Sequence, residues 1–147
     1  LVMDGYRDNP ELTSQAFAGG WLHTGDVAVR DPGGFLRIVD RTKDMIVTGG
    51  FNVYPREIED IIAQHPAVSQ VAVIGVPHPT WGEAVKALVV LRPGQSATAE
   101  ELVAPVAQRK GSFQAPKSVE VLDAIPQTAV GKPDKKALRA WYAQAGA

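Results

Sequence analysis

Two successive glycines, Gly49 and Gly50, separate two short β-favouring runs at residues 45–48 and 51–54. A two-residue Gly-Gly link is the signature of a tight hairpin whose turn needs positive φ, so the chain is predicted to double back here. Pro55 ends the second run and suits the first turn of a helix, and Glu57, Ile58, Ile61 and Ile62 follow with helical apolar spacing. A small α/β unit therefore starts at this point. Just upstream, Asp40-Arg41-Thr42-Lys43-Asp44 is dominated by charge. It resembles neither a core strand nor an ordinary turn, which makes it a candidate domain boundary or pivot.

The 147 residues amount to about one domain by length and hold enough apolar content to bury a core. The formal net charge of −1, with acids and bases mixed, creates no field favouring nucleic acid or anionic membrane. No apolar run approaches the roughly 20 residues that a membrane helix needs. The absence of cysteine excludes disulfides and thiolate metal sites and favours a reducing, cytoplasmic compartment. His23, His65 and His78 lack metal-ligand spacing, so no metal site is expected. The opening Leu1-Val2-Met3-Asp4-Gly5-Tyr6 has neither an initiator methionine nor the regions of a signal peptide, and the chain is expected to be a piece of a longer polypeptide.

Residues 4–20 read as loop and then weak helix. Residues 27–30 and 35–39 alternate and are joined by Asp31-Pro32-Gly33-Gly34, a turn-favouring set that predicts an antiparallel hairpin. Two strands are marginal alone in water, so this pair is expected to need a partner sheet from elsewhere. Beyond the Gly-Gly hairpin a helix is predicted near 56–65, and two buried central strands at 67–76 and 84–91. Thr98 with Glu101 forms a capping-box signature opening a helix with Leu102, Val103 and Val106 on one face, which Pro105 is expected to kink or shorten. A short strand at 118–122 and a helix over 134–145 complete the chain. From residue 45 the order is β-β-α-β-β-α-β-α. The expected class is α/β in the α+β sense: a small mixed β-sheet covered by helices, preceded by a β-hairpin.

Three patches invite a chemical reading beside a structural one. Asp26, in Thr24-Gly25-Asp26, sits at a glycine turn where its carboxylate could accept hydrogen bonds from vicinal sugar hydroxyls, or simply start a strand. Asp40-Arg41 places opposite charges side by side, an arrangement most often a solvated pair of little energetic value. The segment 125–136 is expected to be a flexible lysine-bearing loop ahead of a capped helix. Its Gly131-Lys132 is not a phosphate-cradling P-loop, because the earlier glycine is missing and Pro133 stands where that motif has Ser or Thr.

Together these patches and their spacing closely resemble the adenylate-forming superfamily of acyl-CoA synthetases, firefly luciferase and nonribosomal-peptide adenylation domains. The resembling segments are 20–26, 40–46, 49–59, Phe113-Gln114-Ala115-Pro116-Lys117 and 126–132, five ordered motifs across nearly the whole chain. The resemblance implies a two-step ligase. A carboxylic acid and ATP give an acyl-adenylate and pyrophosphate, and a thiol then displaces AMP to give a thioester. It also implies a large N-terminal AMP-binding domain, of which residues 1–42 are the tail, and a mobile C-terminal lid at 43–147 that swings about Lys43.

By matching position, the resemblance makes Asp26 the holder of the ATP ribose hydroxyls, assisted by Arg41. Lys132 becomes the catalytic cation that reaches the α-phosphate and carboxylate during adenylation. Gly49, Gly50 and Phe51 would line the pantetheine channel, and Phe113 and Lys117 would stack on the adenine and meet the phosphates of CoA. Gln114 stands where the family usually has a basic residue, and Ala115 carries no charge. The implied cofactors are CoA and ATP, the latter with Mg as a counter-ion whose ligands lie outside this chain. The implied partners are a small carboxylic acid and the large domain, with no nucleic acid and no transmembrane segment.

The wording Gly-Gly-Phe-Asn-Val-Tyr-Pro resembles fatty-acyl and related CoA ligases more than peptide-synthetase domains, which usually have a basic residue after the first glycine. Two alternatives stand beside the CoA ligase. One is an adenylation enzyme that delivers its acyl group to a carrier protein. The other is a separately encoded, non-enzymatic lid or binding module.

Overall fold

Turn glycines and alternating strands divide the chain much as its chemistry demands. The computed structural model describes residues 2–143, and these fall into two compact units that part after Lys43.

In the first unit, helix α1 (Pro10–Ala16) opens with proline at its first position and with the Asn9 carboxamide accepting the Leu12 N–H at 2.9 Å. Strands β1 (Asp26–Arg30) and β2 (Leu36–Arg41) pair antiparallel. Their turn closes as expected: the Gly34 N–H donates to the Asp31 carbonyl at 2.9 Å, and the Asp31 carboxylate accepts the Phe35 N–H at 3.0 Å. Val39 is buried, whereas Val29, Phe35, Leu36 and Ile38 are exposed. A ribbon of two strands buries too little apolar surface to be stable by itself.

The second unit follows the predicted order. Strands β3 (Ile46–Thr48) and β4 (Phe51–Val53) meet across Gly49 and Gly50, with φ of 56° and 83°. Positive φ at both central residues is the type I′ geometry that matches strand twist and that glycine adopts without steric cost. Helix α2 (Pro55–Ile62) starts on its proline and buries Ile58, Ile61 and Ile62. It ends three residues short of the expected position, where Pro66 approaches.

Strands β5 (Val68–His78) and β6 (Gly82–Leu91) form a long antiparallel hairpin in a five-stranded sheet; β6 is central as expected, whereas β5, expected to be central too, pairs with β6 alone among the described strands and ends the sheet. The parallel strand β7 (Ser118–Val121) pairs with β6, as does the end of β3. Alternation sends Val73, Val85, Ala87 and Val89 into one core layer with Ile58, Ile62, Leu102 and Val106. Ala72, Ile74 and Leu88 face the opposite layer, with Ile125 and Leu138. Burial on both faces is why these strands read as nearly continuous apolar runs.

Helix α3 (Ala99–Lys110) carries both halves of the predicted capping box. The Thr98 hydroxyl accepts the Glu101 N–H at 3.2 Å, and the Glu101 carboxylate accepts the Thr98 N–H at 2.7 Å. That N–H, and then the Thr98 hydroxyl donating to the same carboxylate at 2.9 Å, hold the Glu101 carboxyl below its usual range. The shortening expected at Pro105 does not occur, and the helix runs through it to Lys110. Burial of Leu102 and Val106 on the face flanking Pro105 holds the helix together across the missing N–H.

Helix α4 (Lys135–Ala143) is capped by Asp134, whose carboxylate accepts the Ala137 N–H at 3.0 Å; the expected continuation to Ala145 lies outside the described residues. Lys135 from α4 meets Glu59 at 2.7 Å, and the same Glu59 oxygen accepts the Val73 N–H at 2.8 Å, so one carboxylate joins α2, β5 and α4. Beside it, Lys86 pairs with Glu120 at 2.8 Å and stands 4.4 Å from the Tyr142 ring centre. Burial, and then a hydrogen bond to Glu120, push the Tyr142 hydroxyl up to about 12.

Leu138 is the fully buried residue through which α4 docks on the sheet. Leu138→Ala is expected to cost roughly 2–5 kcal/mol of unfolding free energy, by lost transfer energy plus a cavity, measurable by urea denaturation of the 147-residue chain.

Candidate functional site

Register, rather than sequence adjacency, builds the first candidate site. Asp26 and Arg41 are directly opposite partners at the ends of β1 and β2. Arg41 Nε lies 3.1 Å from Asp26 Oδ1, so the ion pair recorded for Arg41 crosses the strands, and Asp40 contributes by accepting the Arg41 backbone N–H at 2.7 Å. Gly25, at φ 73°, makes the bend before Asp26, and its carbonyl accepts the Thr42 N–H at 2.8 Å. A carboxylate offers about four lone-pair positions. One arginine contact therefore leaves acceptors for a pair of neighbouring hydroxyls.

In the second unit, residues from three distant segments gather on one face. Gly49 and Gly50 present open backbone: a methyl group added at Gly50 would meet nothing within 4 Å, and one at Gly49 would meet only the Trp81 indole, at 3.9 Å. The Gly49 N–H donates to the Trp81 carbonyl at 3.0 Å, which ties the glycine turn to the β5–β6 turn. Glu83 secures the same hairpin by accepting the Val47 N–H at 2.8 Å. Phe51 packs on Phe113 with ring centres 4.8 Å apart, and both rings remain largely exposed. Lys117 Nζ stands 5.5 Å from the Trp81 ring centre and donates to the Ser112 carbonyl at 2.7 Å. Ala115 belongs to the hydrophobic core, so packing alone excludes a charge there.

Gly49, Gly50, Phe51, Phe113 and Lys117 thus come together, with Trp81 between the glycines and Lys117. Sequence reasoning did not single out Trp81. Its one available signal was a large aromatic in Pro79-Thr80-Trp81-Gly82, a turn between two buried strands where an indole has no core to fill.

Lys132 stands apart. The loop expected to be flexible is instead a closed turn. The Thr128 N–H donates to the Lys132 carbonyl at 2.8 Å, the Gly131 N–H to the Thr128 carbonyl at 2.9 Å, and the Asp134 N–H to the Pro126 carbonyl at 2.7 Å. Gly131 supplies the positive φ of 75° that the turn requires. The Lys132 side chain is exposed, and among the described residues no carboxylate lies within ion-pair distance of it. Lys43 occupies the middle of a single 3₁₀ turn, Thr42–Asp44. Its preceding neighbour is tied to Gly25 through the Thr42 N–H, and its following neighbour Asp44 pairs with Arg139 of α4 at 2.9 Å. No group of acidic, histidine or cysteine side chains suited to a metal ion occurs among the described residues.

The order of elements in the second unit, with its glycine hairpin, is that of the C-terminal domain of adenylate-forming enzymes. The chain belongs to the AMP-binding enzyme C-terminal domain family, whose model matches residues 57–132. A medium/long-chain-fatty-acid–CoA ligase of Mycobacterium tuberculosis is 58% identical over 97% of this chain and 26% of its own length. A long-chain-fatty-acid–CoA ligase of Escherichia coli is 51% identical over 94% of this chain and 24% of its own. The solved amide bond synthetase McbA of Marinactinospora thermotolerans superposes with a TM-score of 0.88 at 44% identity, covering 96% of this chain and 28% of that one. The chain spans about a quarter of the length of the relatives it matches.

Proposed function

We propose that this chain is the C-terminal part of an ATP-dependent acyl-CoA ligase acting on a fatty or related carboxylic acid. The observation that carries the reading is the open glycine turn walled by Phe51, Phe113 and Trp81, set in a chain that is 58% identical to a fatty-acid–CoA ligase. Two adjacent residues without side chains let a thin pantetheine arm approach the backbone, and the aromatic walls exclude water from it. Phe51 and Phe113 leave ring faces exposed to an adenine, and Lys117 stands next to them as a phosphate-seeking cation.

CoA supplies the thiol that displaces AMP, and ATP supplies the activating adenylyl group. Asp26, oriented by Arg41, would accept the ribose hydroxyls. Lys132, on its closed turn, would oppose negative charge as it grows on the carboxylate and α-phosphate. Mg would accompany ATP, on ligands outside this chain. We assign residues 1–42 to the end of a large AMP-binding domain and 43–147 to a lid that turns about Lys43. The exposed apolar strip of β1 and β2 supports the first assignment, and the separate anchoring of Thr42 and Asp44 supports the pivot. No described helix is long and apolar enough to cross a membrane and the chain has no cysteine, which favours a cytoplasmic enzyme.

The likeness to an amide bond synthetase favours one second reading, an amine rather than CoA as acceptor. Supplying the full-length enzyme with its acyl-adenylate and either CoA or an amine decides between them. Thioester formation supports the ligase; amide formation without thioester overturns it. The 147-residue chain alone is expected to show no carboxylate-dependent ATP–pyrophosphate exchange, because most ATP and acid contacts belong to the large domain. Exchange catalysed by the purified chain would overturn the division of labour.

A further inference from the structure

His78 is the last residue of β5, and it is bound into the turn that carries Trp81 in two ways. Its Nδ1 accepts the Thr80 N–H at 3.2 Å and the Trp81 N–H at 3.3 Å. Its ring lies flat on the Trp81 indole, with centres 4.2 Å apart and planes 9° from parallel. Both turn N–H groups are donors, so Nδ1 must be the unprotonated nitrogen and the ring proton resides on Nε2. The cross-strand pair His78↔Gly82 encloses a three-residue loop, and the chain leaves it through Gly82 at a positive φ of 76°. A turn of this kind positions its backbone but leaves an exposed side chain free to change rotamer. The imidazole supplies what the backbone does not, a flat plate against which one indole rotamer rests.

We propose that His78 is a positioning residue for the acceptor step. By pinning the turn through Nδ1 and stacking on Trp81, it holds the indole beside Gly49, and the Trp81 carbonyl in place to receive the Gly49 N–H. The inference rests on the reading of the Gly49–Gly50 face as the acceptor channel. Aromatic stacking and two hydrogen bonds are exchanged for water when His78 is lost, and Trp81 is then free to swing across the opening above the glycines.

Two measurements test this. In the 147-residue chain with Trp21→Phe and Trp141→Phe, Trp81 is the sole indole. There His78→Ala should shift Trp81 emission to the red and increase its quenching by acrylamide, at unchanged far-ultraviolet circular dichroism. In the full-length enzyme, His78→Ala should raise KM for CoA roughly ten- to a hundredfold, the cost of a misplaced wall, while ATP–pyrophosphate exchange stays within about twofold. His78→Asn, whose Oδ1 is bonded to Cγ as Nδ1 is, should recover most of the loss in KM. Unchanged Trp81 emission in His78→Ala overturns the positioning role and leaves the acceptor reading standing. Equal loss of exchange and thioester formation, or no advantage of Asn over Ala, also overturns it. A wild-type enzyme that forms adenylate but does not turn over CoA overturns the acceptor reading itself, and with it the role of His78.

Discussion

Lys132→Ala in the full-length enzyme is expected to slow adenylate formation by roughly 10²- to 10³-fold, the loss typical of removing one preorganised transition-state donor. The turn from Thr128 to Lys132 is closed by backbone hydrogen bonds, so the backbone from which the Lys132 side chain projects is set before substrate arrives. None of those bonds uses the Lys132 side chain, and its N–H contact to the Thr128 hydroxyl, at 3.3 Å, is available to alanine. The variant should therefore fold and melt like the wild type. Thioester formation from supplied acyl-adenylate should survive, because in the proposed arrangement the glycine face, and not Lys132, would meet the acceptor in that step. Pyrophosphate exchange and thioester release, measured separately, check this; equal losses in both half-reactions would show that Lys132 is structural or acts in both.

Lys43→Pro in the full-length enzyme is expected to preserve adenylate formation and abolish thioester formation. Thr42 is hydrogen-bonded to Gly25, and Asp44 is ion-paired with Arg139, so the proposed rotation would be absorbed at or next to Lys43. Proline holds φ near −65° and removes the N–H, which blocks any pose needing a different angle. The exposed Lys43 side chain fills no core, so the fold has little to lose. Loss of one half-reaction at an unchanged melting temperature supports the pivot. Parallel loss of both activities with a lowered melting temperature sinks it.

Local chemistry made much of the second unit legible in advance. Gly49-Gly50 had to turn with positive φ whatever surrounded it, Pro55 had to start a helix rather than continue a strand, and Thr98 with Glu101 satisfies its own helix terminus. Each depends on neighbours a few residues away. The double-sided burial of β5 and β6 was legible as well, because alternation is lost only when both faces are apolar.

Where the outcome depended on partners far along the chain, sequence misled or was silent. Adjacency in sequence pointed only to Asp40 as a neighbour for Arg41, and strand register added Asp26, directly opposite it. Pro105 looked set to kink or shorten its helix, yet packing of Leu102 and Val106 carries α3 through it to Lys110. The lysine loop looked flexible because its composition is that of a loop, whereas hydrogen bonds spanning Pro126 to Asp134 close it. The sequence by itself determined where the backbone turns, caps and alternates. Tertiary structure decided that Trp81 and His78 stand beside Gly49, because a side chain's neighbours across a sheet follow from strand register and turn closure, and neither is encoded within any one segment.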